Sequence, residues 1–268
     1  MNDVLTIAVL QHESSPGDVS ANLERLTKAA AQAAAQNVQL LVTPEASLCG
    51  YNLSLETNRK VAQPAQGELT DAVSDLCKQH NMAIAYGFVE RDGDTYYNTV
   101  QIIDKTGTVL QRYRKSHLWG EMDNDLFTAG ETVLPPVTIE GWKVGMLICY
   151  DIEFPENART HAIAGAELII VPTALAGDWH IVAERVVPVR AYENQLFIAY
   201  ANYCGTENDC EYAGRSCISG PDSDDIARAH TEATLLVGTL NKSRIQSIRK
   251  EIPYHQDRLP SLYKTITS

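Results

Sequence analysis

Positive charge is scarce in this sequence: 22 Lys and Arg stand against 34 Asp and Glu, a formal net charge of −12. A surface of that sign argues against nucleic acid or an anionic membrane as partner, since both need a cationic face. No stretch approaches the roughly 20 apolar residues of a membrane helix. The start, Met1-Asn2-Asp3-Val4, has neither a basic segment nor a long apolar one, so no export signal and a cytoplasmic location are expected. In that compartment the six cysteines (49, 77, 149, 204, 210 and 217) read as free thiols. Cys204, Cys210 and Cys217 crowd one polar segment but lack the close Cys or His pairing of a zinc site, and the seven histidines are scattered. There is no Gly-rich phosphate loop. The expectation is no metal and no cofactor. Linkers, charge blocks and solenoid-length repeats are also missing, which favours a single domain over residues 1–268.

Periodicity supplies the elements. Residues 4–10 read as a strand, 20–36 as an Ala-rich helix with Leu23, Leu26, Ala30 and Ala33 on one side, and 38–43 as a strand. A helix fits 68–80, with Leu69, Val73, Leu76 and Cys77 inward. Strands at 82–90, 95–103 and 108–113 look like successive hairpins, followed by an irregular loop over 114–131. Strands at 133–139 and 142–148, a helix at 155–164 and a strand at 167–172 come next. A helix at 178–193 contains Pro188, which should bend or break it. Strands at 195–202, 215–219, 225–229 and 233–239 precede a short helix near 241–249. Helices and many strands in one domain indicate a layered α/β or α+β architecture.

Three segments carry chemistry. In the first, Leu40-Leu41-Val42-Thr43-Pro44-Glu45, a strand stops at a proline and offers an acid at its end. In the second, a strand runs out into the basic, aromatic stretch Tyr113-Arg114-Lys115-Ser116-His117-Leu118-Trp119. In the third, the apolar run 142–148 ends at Cys149-Tyr150-Asp151, and Phe154-Pro155-Glu156 reads as the first turn of a helix. A thiol between a strand end and a helix start can be favoured as thiolate. Taken singly, these are also what a solvated turn acid, a basic surface strand and a small core cysteine look like.

In the order Glu, Lys, Cys, separated by 70 and 34 residues, the three resemble the carbon–nitrogen hydrolase (nitrilase) superfamily over nearly the whole chain, from Thr6-Ile7-Ala8-Val9-Leu10-Gln11 to the tail at 253–263. The resemblance implies a four-layer α-β-β-α sandwich. It also implies a homodimer or higher homo-oligomer, with the tail, residues 250–268, a candidate to reach a partner subunit. It assigns Cys149 as nucleophile, Glu45 as the group that moves protons, and Lys115 with the backbone N–H of Tyr150 as oxyanion donors. Members usually carry a further glutamate eight or more residues after the lysine. Here that position is Asp123, about one methylene shorter, with Glu121 as the alternative auxiliary acid.

The motifs look most like those of bacterial amidases acting on small aliphatic or amino-acid-derived carboxamides. N-carbamoyl compounds come second and nitriles third, and an inactive binding or scaffolding protein is the non-enzymatic alternative. Tyr51, Trp119, Glu121 and Trp179 come from loops expected to line the substrate pocket, whose aromatic walls suit a compact apolar or cyclic group. If Glu121, Asp123, Asp125 and Asp178 face that pocket, an amine near the amide is welcomed and a free carboxylate repelled.

Overall fold

Along the first strand, β1 (Val4–Gln11), Leu5, Ile7 and Val9 alternate with Ala8 and Leu10, and both sets are buried. A strand apolar on both faces belongs inside a stack of layers. The computed structural model, which describes residues 3–267, places it there. Leu5, Ile7 and Val9 pack in a core shared with a second sheet, while Ala8 and Leu10 pack against helices on the other side.

The first half of the chain runs β1, α1 (Val19–Ala34), β2 (Leu40–Val42), α2 (Leu55–Val61), α3 (Glu68–His80), β3 (Ala83–Asp92), β4 (Thr95–Ile103), β5 (Val109–Arg114) and α4 (Gly120–Leu126). The second half runs β6 (Val137–Ile139), β7 (Trp142–Met146), α5 (Pro155–Ile163), β8 (Leu168–Pro172), α6 (Val187–Asn194), β9 (Phe197–Ala201), β10 (Thr206–Glu207), β11 (Cys210–Glu211), β12 (Cys217–Ser219), β13 (Asp225–Arg228), β14 (Thr234–Asn241), α7 (Lys242–Glu251) and α8 (Tyr254–Asp257). One six-stranded sheet has the order β14-β1-β2-β3-β4-β5 and the other β13-β12-β9-β8-β7-β6; β10 and β11 form a separate ribbon.

Each six-stranded sheet has three parallel strands at its heart, β1-β2-β3 and β7-β8-β9, flanked by antiparallel ones. Helices α1 and α3 cover the first sheet, and α5 and α6 cover the second. The result is the four-layer α-β-β-α sandwich. Asp18 caps α1 by accepting from the Ala21 N–H at 2.9 Å, and α3 ends in the left-handed residue Asn81.

Several expected elements change form. The segment 133–139 is a strand only over β6, because Pro135 and Pro136 cannot donate to a ladder. The expected helix 178–193 arrives in pieces: a 3-10 turn at Gly177–Trp179, a π-helical turn at Val182–Val186, and α6, with Pro188 in its first turn where no donor is needed. The expected loop 114–131 contains α4, and α2 is an element that periodicity did not reveal. No helix among the described residues is long and apolar enough to cross a membrane.

Candidate active site

The site lies where the two sheets turn their strand ends toward each other. Glu45 follows β2 by three residues, and its backbone N–H donates to the carbonyl of Thr173, the residue after β8, at 3.3 Å. That bond ties one sheet to the other beside the site. Close packing fixes the turn: a Cβ built on Gly87 of β3 would lie 2.3 Å from the Ala46 nitrogen and 2.9 Å from the Pro44 carbonyl oxygen. Ala46 itself sits at φ +47°. Lys115 follows β5, its N–H donating to the Asn98 carbonyl at 2.9 Å and its carbonyl accepting from Gly130 at 2.7 Å.

Cys149 opens a short 3-10 turn at φ +45°, a left-handed conformation costly for a residue with a Cβ. Asp151 holds that turn. One of its oxygens accepts from the Ile148 N–H at 3.0 Å and the Tyr113 hydroxyl at 2.8 Å; the other accepts from the His117 N–H at 2.9 Å and lies 2.8 Å from His117 Nδ1. The cysteine turn is thereby locked to both sides of Lys115. Tyr150 lies in the first turn, where amide N–H groups lack intrahelical acceptors.

Glu45, Lys115 and Asp123 form one fully buried cluster. Lys115 Nζ donates to Glu45 Oε1 at 2.7 Å and to Asp123 Oδ2 at 2.6 Å. Asn98 donates to the same Glu45 oxygen at 2.7 Å, whereas Glu45 Oε2 meets no nitrogen or oxygen donor among the described residues, and the Cys149 thiol is a further group that interacts with this carboxylate. The shorter acid at position 123 reaches the lysine because α4 carries it there. It also accepts from the Trp119 N–H one turn back and from the Tyr51 hydroxyl, both at 2.9 Å.

Burial opposes the Lys115 ammonium, but Glu45 and Asp123 outweigh it and hold its pKa well above the ordinary lysine value. Burial raises the Glu45 pKa; Lys115 opposes that rise and Asp123 adds to it. Burial and then the charge of Glu45 push the Cys149 thiol up, with Lys115 only partly offsetting them. These effects favour the protonated thiol, opposite in direction to the expectation that strand end and helix start can favour thiolate.

Above Cys149 opens a cavity of about 590 Å³ whose walls include Tyr51, Trp119, Tyr150 and Trp179. The structure thus brings together Glu45, Lys115, Cys149 and Asp123, with Tyr51, Trp119 and Trp179 around them. Glu121 is not brought in: it lies exposed on α4, makes no ion pair with Lys115 among the described residues and does not line the cavity. Two residues along a helix lie about 200° apart, so the phase that puts Asp123 on the lysine leaves Glu121 in solvent.

Sequence reasoning missed Asn98, Glu153 and Glu207. Glu207, in β10, is buried and accepts from the N–H groups of Tyr51 at 3.1 Å and Asn52 at 2.7 Å, the Ser14 hydroxyl at 2.6 Å and the Tyr212 hydroxyl. It clamps the loop that presents Tyr51 to Asp123. The only signal was Gly50, whose φ of +89° and close approach to Glu207 Oε1 exclude a side chain.

Residues 6–250 match the family profile described as carbon-nitrogen hydrolase. A Pseudomonas protegens protein named "hydrolase in pqqF 5'region" is 44% identical over 98% of this chain and 92% of its own length. An (R)-stereoselective amidase of Pseudomonas sp. is 32% identical over 95% of this chain and 91% of its own. Among solved structures, an amidase mutant from Nesterenkonia sp. AN1 superposes with a TM-score of 0.84 at 32% identity, covering 97% of this chain and 96% of that one; it is described as showing covalent addition of the acetamide moiety of fluoroacetamide at the active site cysteine.

Proposed function

This chain belongs to the carbon–nitrogen hydrolase family, as an amidase-type enzyme, and from its site we propose that it cleaves a small carboxamide to the carboxylic acid and ammonia through a thioester on Cys149. The observation that carries this reading is the buried Glu45 carboxylate, whose Oε2 meets no nitrogen or oxygen donor among the described residues while the Cys149 thiol is among the groups that interact with it.

In the first step Glu45 takes the thiol proton as Sγ attacks the carbonyl carbon. A base is required because the thiol pKa is raised, and the raised pKa of Glu45 makes it a stronger base than an ordinary glutamate. The carbonyl oxygen becomes an oxyanion. Lys115 has three N–H donors, of which Glu45 and Asp123 occupy two, so the third is available to that oxygen beside the Tyr150 N–H. Glu45 returns the proton to the amide nitrogen, the C–N bond breaks and ammonia leaves. Water then adds to the thioester with Glu45 again as base, and the collapsing intermediate releases the acid and restores the thiol. Because Asp123 and Asn98 fix Lys115 and Glu45 before substrate arrives, little reorganisation is needed during turnover.

Ammonia release from aliphatic amides, amino-acid amides, ω-amides, N-carbamoyl amino acids and nitriles, with Cys149→Ala alongside, tests the reading. Release from an amide group that vanishes in the variant supports it. Carbon dioxide alongside the ammonia identifies a carbamoyl substrate instead, and equal release by the variant refutes the thioester route.

A second copy of the chain is the partner we propose for the exposed apolar side chains of α5, α6 and the tail, among them Ile163, Val189, Leu259 and Leu262. Sedimentation of the full chain against one ending at residue 253 tests it: a dimer that becomes a monomer supports the pairing, and a full-length monomer refutes it.

A further inference from the structure

Independently of its charge, the cavity adjoins a reactive cluster: Cys149 lines it, and the fully buried Glu45 that interacts with that thiol keeps an oxygen that no nitrogen or oxygen donor among the described residues reaches. Its lining is one-sided in sign. Glu153, Asp178, Asp209 and Glu211 line it, and no Lys or Arg among the described residues does. The two cations whose charge acts on Glu153 already have carboxylate partners. Lys115 is held between two carboxylates, and Arg190 donates to the carbonyls of Ile152 and Glu153 and pairs with Glu193 at 3.0 Å.

Glu153 is the innermost of the four acids. It closes the 3-10 turn that Cys149 opens, and it is partly buried while the other three are exposed. Arg190 fixes its backbone through a 2.8 Å bond to the carbonyl, yet its carboxylate accepts no hydrogen bond and joins no ion pair among the described residues. Burial holds that carboxyl above its ordinary pKa, against the opposing charges of Arg190 and Lys115. Trp119 and Trp179 stand in the same walls 41% and 52% exposed, two large aromatic faces left in contact with solvent. An uncommitted carboxylate and exposed indoles lining one cavity are groups that bind an organic cation, by ion pairing and by cation–π attraction.

Resting on the hydrolase reading above, we propose that the substrate of this site carries a protonated amine in addition to its amide, and that Glu153 is the side chain that receives it. The acids at the mouth draw such a substrate in and disfavour amides bearing a free carboxylate. The aromatic walls take up the hydrocarbon between amine and amide.

The test is kcat/KM on matched amides that differ only in replacing a terminal methyl by an ammonium: propionamide against glycinamide, butyramide against β-alaninamide, and hexanamide against 5-aminopentanamide, with succinamate as the anionic member. At low ionic strength we expect the best ammonium–methyl pair to favour the cation at least tenfold, and succinamate to be the poorest substrate. In Glu153→Gln that ratio should fall at least fivefold, and in Glu153→Lys the preference should turn toward succinamate. Because the ratio is taken within each variant, a general loss of folded enzyme cancels. A wild-type preference for the neutral or anionic amides, or a ratio that survives Glu153→Gln, overturns the proposal.

The same pairs are titrated into Cys149→Ala with tryptophan fluorescence as readout. If no amide is turned over by the wild type, the hydrolase reading fails, and tighter binding of the ammonium member still decides the charge inference on its own. Equal or weaker binding of that member overturns it.

Discussion

Replacing Asp123 by Asn removes one charge from a cluster of three while leaving its shape nearly intact. The Asn oxygen can still accept from Lys115 and the Trp119 N–H, and the Tyr51 hydroxyl can rotate to accept from the new amide. The electrostatic change is larger. Lys115 touches Glu45 at 2.7 Å and Asp123 at 2.6 Å, so the two carboxylate oxygens are separated by at most the sum of those contacts, 5.3 Å. At an effective dielectric near 20, two like charges that far apart repel by about 3 kcal/mol. In the wild type that repulsion helps raise the Glu45 pKa, so removing it lowers that pKa. In the proposed mechanism Glu45 acts as base in its ionised form, which is present above its pKa. The acid limb of the kcat/KM profile should therefore move to lower pH in Asp123→Asn. Exchanging a charge-assisted bond to Lys115 for a neutral one removes about 1–2 kcal/mol of positioning, roughly a tenfold loss in kcat/KM on the plateau. Ammonia release across pH 4–9, with Asp123→Glu as the charge-preserving control, measures both effects. An acid limb that stays in place or moves upward in Asp123→Asn would refute the coupling between the two carboxylates.

Three further outcomes can be measured directly. Gly87→Ala forces a Cβ against backbone atoms of the Glu45 turn and should cost about 3 kcal/mol in urea unfolding; a loss under 1 kcal/mol would show that the turn yields. Glu207→Gln leaves the Tyr51 and Asn52 N–H groups short of acceptors, which should lower kcat/KM about tenfold and stability by about 2 kcal/mol, with Glu207→Asp recovering less than half; unchanged kinetics would separate this clamp from the site. Buried His12 has its pKa lowered, chiefly by burial, from 6.5 to about 4, so protons bind the unfolded chain first as pH falls. The stability it withholds grows from pH 6.5 and saturates below about 4, reaching about 3 kcal/mol, and His12→Gln should flatten that part of the stability–pH curve; parallel curves would contradict it.

What could be read from the sequence was whatever local chemistry writes into it. The strand ends at Pro44-Glu45 and Cys149, the helix start at Pro155 and the alternation along β1 all follow from which residues can donate to a ladder or face a core. The sandwich of two sheets came from the family resemblance, since no local pattern says which strands stack face to face. Where the reading failed, nonlocal contacts decided. Helix α4 has little periodicity of its own; Asp123 is drawn inward by Lys115 and in turn caps the backbone at Trp119. Glu121 stood as the alternative to Asp123 in the sequence, and helical phase separates them. Glu207 lies 156 residues from the Tyr51 N–H it accepts from, a distance over which a single sequence carries no pairing signal. For the Cys149 thiol, burial and the neighbouring Glu45 act toward the protonated form, and neither can be read from the strand end and helix start alone.

Residue-resolved alkylation by a small haloacetamide decides whether Cys149 is the nucleophile of an amide-binding site. Four of the six cysteines are buried, and Cys210 shares the partial exposure of Cys149, which makes it the internal reference. Cys149 should be labelled at least tenfold faster than Cys210, and Glu45→Gln should abolish most of that advantage. Labelling of Cys149 no faster than Cys210 in the wild type would contradict the assignment of nucleophile and base alike.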